Sequence, residues 1–123
     1  MQAEVYMSRF LLLLRDEPST FEHLSPAEMQ TIIQKYIAWG NGLRESGRLI
    51  GSDKLTGSGG RVARQSGAKT MVTDGPFTEA REVVGGFYMI QAKDYDEAMT
   101  IVRDCPHLAF GSIEVRQVEE LQR

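Results

Sequence analysis

Residues 74–88, Asp-Gly-Pro-Phe-Thr-Glu-Ala-Arg-Glu-Val-Val-Gly-Gly-Phe-Tyr, crowd Asp74, Glu79, Arg81, Glu82 and Tyr88 around one turn and the start of an apolar strand. The chemistry these residue types offer is proton transfer. A carboxylate takes a proton, and a histidine such as His107 takes or returns one near neutral pH. Asp74 opens a turn stiffened by Gly75 and Pro76. It suits a base or a group that orients a histidine, and equally an aspartate bonding its own backbone two residues on. Glu79 lies just past Phe77, an apolar anchor for the loop. It reads as a second cleft carboxylate, or with Arg81 and Glu82 as a solvated salt-bridged stretch. His107 follows Pro106 at an expected helix end, where the dipole favours imidazolium. It reads as a capping or surface residue, or as the general acid–base of the site. His23 falls in a loop with no such neighbours. Glu114 and Arg116 share one face of the last strand. They read as an ion pair across a subunit boundary, or as a site in which Arg116 clamps a substrate anion. Tyr88 could join them, but Gly85-Gly86 leaves its direction open.

Other chemistries find little support. The net charge of −3 with dispersed basic residues argues against nucleic-acid binding. The sequence has one cysteine, Cys105, so no internal disulfide forms, and its apolar surroundings suit an inert buried thiol. Two distant histidines and no cysteine pair give no metal-ligand spacing. Gly57-Ser58-Gly59-Gly60 lacks the Lys-Ser/Thr and following helix of a phosphate loop, and reads as a flexible turn. The apolar run Phe10–Leu14 is too short for a membrane span or signal core, and Asp16 and Glu17 follow at once. A cytoplasmic protein needing no cofactor is expected.

The elements that must position these residues follow from pattern. The 123 residues suit one domain. A buried strand is expected over Val5–Leu14, then a polar loop over 15–24. Ser25-Pro26-Ala27-Glu28 is a helix start with a capping box. Met29, Ile32, Ile33, Tyr36, Ile37 and Leu43 form its apolar stripe, and Gly47 is its stop. Trp39 lies off the stripe and should meet a second surface. Strands are expected at Arg48–Leu55 and Arg61–Gln65, flanking a hairpin-like turn at 56–60, and at Lys69–Thr73 and Val83–Ala92. Gly85-Gly86 marks a bulge or close approach in the last of these. Asp94 caps a second helix with Ala98, Met99, Ile101, Val102 and Cys105 inward, ended by Pro106. Ser112–Val118 is the closing strand. The order β-α-β-β-α-β with an inserted hairpin is the split βαβ pattern of an α+β, ferredoxin-like fold. Two helices cover one face of such a sheet. Apolar residues on the other face predict a homodimer, sheet against sheet.

Three blocks add a family resemblance: Val72-Thr73-Asp74-Gly75-Pro76-Phe77-Thr78-Glu79, Val84-Gly85-Gly86-Phe87-Tyr88 and Gly111-Ser112-Ile113-Glu114-Val115-Arg116. With Tyr36…Trp39 and Leu49-Ile50…Leu55, nearly the whole chain resembles the YCII-related family. Its DGPF branch is named for residues like 74–77. The resemblance implies a dimeric α/β barrel. It also implies an Asp–His pair in a cleft, carried here to Asp74, and small-molecule lyase, dehydrochlorinase-like or isomerase chemistry. A non-catalytic regulatory module associated with alternative sigma factors is the other role it implies. Two departures stand out. Arg81 replaces a usual lysine and cannot serve as a base, and Gln117 replaces a proline and can extend the strand.

Overall fold

The computed structural model of the chain describes residues 6–57, 59–75 and 82–121. The first strand, β1 (Ser8–Asp16), alternates instead of being buried on both faces, because only one face is covered by helices. Phe10, Leu12 and Leu14 are buried, and the residues between them are half-exposed. It begins three residues later than expected and runs two residues further, so Arg15 and Asp16 belong to the sheet rather than to a loop. A short 3-10 turn, Pro18–Phe21, follows.

Helix α1 (Pro26–Glu45) starts on the expected capping box. The Glu28 N–H donates to Ser25 Oγ at 3.1 Å, and the Ser25 N–H donates to Glu28 Oε1 at 3.1 Å. These bonds hold the Glu28 carboxyl below its ordinary range. Ser25→Ala should therefore cost about 1 kcal/mol, read as a lower midpoint in urea with an unchanged m-value. Beyond α1, Gly47 takes φ +77°, a conformation glycine adopts without strain.

Strand β2 (Leu49–Lys54) returns along the helix. The chain then leaves the sheet. The turn at 56–60 does not join a β2–β3 hairpin, as the sequence suggested. Gly59 and Gly60, at φ +86° and +101°, redirect the backbone, and β3 (Arg61–Ser66) pairs with β4 (Lys69–Asp74) in a separate two-stranded sheet. Gly67 makes its turn at φ +59°. The Gly75 N–H donates to the Gly60 carbonyl at 3.0 Å and closes its base.

Strand β5 (Val83–Ala92) re-enters the main sheet, whose order is β2-β5-β1-β6 with all neighbours antiparallel. Helix α2 (Tyr95–Val102) is capped by Asp94, which accepts from the Glu97 N–H at 2.9 Å. It ends before Pro106, and Met99 is 38% exposed rather than inward. A second 3-10 turn, Pro106–Ala109, leads to β6 (Ser112–Gln117).

Leu43 of α1 and Ala98 and Val102 of α2 share one core cluster with Phe10, Leu12, Tyr88 and Ile90. Both helices therefore cover the same sheet face. This is an α+β arrangement compatible with the ferredoxin-like fold. On the opposite face Leu11, Leu13, Phe87 and Met89 remain half-exposed.

Candidate functional site

The site begins at a bulge. Leu14 pairs with Gly86 but Arg15 pairs with Val84, so Gly85 has no partner on β1. The glycine pair serves both of its expected roles. A Cβ on Gly86 would lie 3.0 Å from the Asp53 carbonyl oxygen, and one on Gly85 would lie 3.1 Å from Asp16 Oδ2. Strand alternation, with Leu12 and Leu14 buried, puts the Arg15 side chain on the open face, where Nη2 donates to Glu114 Oε1 at 2.8 Å. Its carbonyl accepts from His107 Nε2 at 2.8 Å.

His107 is 2% exposed. It does not cap α2, because that helix ends at Val102 and a separate turn carries the ring. A carbonyl can only accept, so Nε2 carries a proton. In the neutral ring Nδ1 accepts from the Tyr36 hydroxyl at 2.8 Å. Beside it, burial pushes the Cys105 thiol up to about 11, so it is inert at neutral pH.

His107 and Tyr36 line a cavity of about 710 Å³ between α1 and the β5–β2 side of the sheet. One face of α1 supplies Met29, Ile33, Tyr36, Ile37, Gly40 and Arg44 at helical spacing. The sheet supplies Leu14, Asp16, Leu49, Lys54 and Tyr88. Asp16 is the carboxylate closest in kind to the one expected at Asp74. It forms no hydrogen bond or ion pair among the described residues. Desolvation raises its pKa above the ordinary value, His107 and Lys54 partly oppose this, and Glu82 adds to it.

The two cavity tyrosines are held neutral. Burial raises Tyr36 well above its ordinary value and pushes Tyr88 up to about 12. An acid whose folded pKa is raised stabilises the fold fully below its unfolded pKa, and that contribution is lost as pH rises through the folded value. Stability to urea should therefore fall from about pH 10 upward, and Tyr88→Phe should flatten that fall.

The sequence-expected residues separate into three places. His107 and Tyr88 line the cavity, which fixes Tyr88 on the helix-covered face, with the half-buried Trp39 ring edge-on at 4.9 Å. Asp74 sits on the β3–β4 hairpin, its side chain 90% exposed and 3.3 Å from Arg61, and does not line the cavity. Glu114 and Arg116 lie on the open face, joined at 3.3 Å and tied to Arg15. The Arg15 hydrogen bond, and after it that of Arg116, holds the Glu114 carboxyl below its ordinary range. Glu79, Arg81 and Phe77 lie outside the described residues.

Asp16, Tyr36, Arg44 and Lys54 were missed. Asp16 had been read only as the charge that ends an apolar run, and Tyr36 as one member of a core stripe. Among the described residues no group of three or more His, Cys, Asp or Glu could hold a metal ion. No helix among them is long and apolar enough to cross a membrane.

The model of the YCII-related domain matches residues 8–122, nearly the whole chain. The chain belongs to the YCII-related family. An uncharacterised protein of Rhizobium meliloti is 33% identical over 91 residues, covering 72% of this chain and 68% of that protein. In this YCII-related chain, Asp16 at the end of β1 and His107 in the turn before β6 line the same cavity, with Asp53 as a further carboxylate on its wall.

Proposed function

We propose that this YCII-related protein is a cofactor-independent enzyme performing acid–base chemistry on a small organic substrate. Its proton-transfer groups are Asp16 and the Tyr36–His107 pair. The observation that carries this is their convergence: a carboxylate with no hydrogen bond or ion pair among the described residues and a hydrogen-bonded phenol–imidazole pair line one cavity of about 710 Å³, within the size range of small-molecule sites.

Asp16 takes a proton from the substrate. The second pair moves another. A substrate hydroxyl or water gives its proton to the Tyr36 oxygen as Tyr36 passes its own to His107 Nδ1. Nε2 keeps its proton on the Arg15 carbonyl, so the ring becomes imidazolium. Reversal returns the proton to a leaving group. Removing one proton and expelling a group is the lyase- or dehydrochlorinase-like chemistry that the family resemblance suggests. The sequence motif at residues 74–77 supports assignment to the DGPF branch. On this reading the open sheet face, with its half-exposed apolar residues, pairs with a second copy, and the dimer works in the cytoplasm.

The test is a panel of small halogenated and carbonyl acids incubated with the protein in D₂O. Deuterium incorporation or halide release is expected, with a rate that falls as pH drops through the raised Asp16 pKa. One observation favours a second reading, a ligand-binding or regulatory module linked to alternative sigma factors: both ring nitrogens of His107 are already bonded inside the protein. Ligands that bind without exchange or turnover would replace the first reading with this one.

A further inference from the structure

The mechanism leaves Asp53, Lys54 and Arg44 unused on the cavity wall; Lys54 interacts with the Asp16 charge, and Arg44 is the cation left for an anionic ligand. Arg9, Arg15, Arg48, Arg61 and Arg116 each pair with a carboxylate. Arg44 pairs with none among the described residues. Its Nη1 donates to Asn41 Oδ1 at 2.8 Å, and Asn41 also lines the cavity. The remaining donors of the guanidinium fork are spare, and a planar fork suits a carboxylate.

The wall between Arg44 and the proton-transfer groups is apolar. Ile37, Gly40 and Leu49 form it, with Leu55 at the rim. Ile37 and Leu55 are 49% and 43% exposed, a cost that an apolar ligand would remove. Arg44 lies eight positions after Tyr36 on the same helix, about 12 Å along its axis.

We propose that the cavity selects amphipathic monocarboxylates. The acid head sits on Arg44 and Asn41, the apolar body lies along Ile37, Gly40 and Leu49, and the far end reaches Asp16 and Tyr36. One guanidinium balances one carboxylate, which is why a monoanion is favoured over a doubly charged phosphate. This rests on the cavity being the substrate site, as the proposed function has it. It moves the anion-holding role from Arg116, on the open face, to Arg44.

The sole tryptophan provides the readout, because Trp39 packs edge-on against Tyr88, which lines the cavity. Butanoate, octanoate, decanoate and decanol are titrated into the full chain and followed by Trp39 fluorescence. Decanoate should bind at least about tenfold tighter than decanol, the scale of a charge-assisted hydrogen bond. Butanoate, too short to touch both ends, should bind weakest. Arg44→Gln should remove the preference for decanoate, and Arg44→Lys should retain part of it. Asp16→Asn should bind decanoate at least as well as the wild type. Equal binding of decanol and decanoate, or an unchanged preference in Arg44→Gln, overturns the proposal. A protein that shows these preferences but never turns over a substrate would sink the acid–base reading alone.

Discussion

Asp16→Asn should abolish turnover, by on the order of 10²–10⁴-fold, while the protein melts at the same temperature as the wild type or higher. The two halves of this result have one cause. The Asp16 carboxylate is partly desolvated on the cavity wall, so its pKa is raised in the folded state. The folded protein therefore binds that proton more tightly than the unfolded chain does. The contribution is fully present below the unfolded pKa and lost as pH rises through the folded value. At neutral pH the ionised carboxylate costs stability, and asparagine, never ionised, removes the cost. A group that weakens the fold where it stands is what a functional site requires. Melting curves at pH 7 beside rates for the same samples would check it. A fall in both would recast Asp16 as a structural residue. A rise in Tm with undiminished turnover would move the base elsewhere.

Gly111→Ala should be among the most damaging small substitutions in the chain. A Cβ there would lie 2.0 Å from the Arg15 carbonyl oxygen and 3.0 Å from His107 Nε2. Relief by a side-chain rotation is not available, because the nearest obstacle is backbone in a central strand. The Gly111 N–H is itself committed to the His107 carbonyl at 3.0 Å. Either β1 moves or the Arg15–His107 bond breaks. The expected cost is about 3 kcal/mol or more, roughly a 10 °C loss in Tm for a domain of this size. Gly42→Ala is the contrast. It sits inside α1 with nothing within 4 Å of its missing Cβ, and should stabilise by up to about 1 kcal/mol. Chemical denaturation of both variants tests the pair. A Gly111→Ala protein within 1 kcal/mol of wild type would show that the close approach is not rigid, and with it that His107 is not fixed.

What the sequence revealed was what neighbours in the chain decide. The α1 cap needs only Ser25 and Glu28, three residues apart. The glycine pair at 85–86 is likewise a local signal. The site depends instead on contacts distant in sequence. Asp16 matters because the end of β1 shares a cavity with a ring 91 positions later, a relation that no spacing rule encodes. His107 resembled a helix cap because proline precedes it. The chain stops α2 at Val102 and makes a second turn, which buries the ring. Asp74 drew attention through the company it keeps in sequence. In space its partner is Arg61, the facing residue of a hairpin that leaves the main sheet.

The position of β1 also sets the order in which the protein can be made. It is the first strand synthesised, yet its neighbours are β5 and β6, with Ser8 opposite Ala92 and Leu11 opposite Arg116. A growing chain that has reached β4 carries Phe10, Leu12 and Leu14 with no native strand to cover them. At about 5–20 residues per second, the interval before β6 emerges lasts seconds, long enough for exposed apolar strands to meet other chains. The sheet therefore cannot close until β6 has emerged, and the polar residues at the ends of the waiting strand, Ser8, Arg9 and Arg15, help keep it soluble.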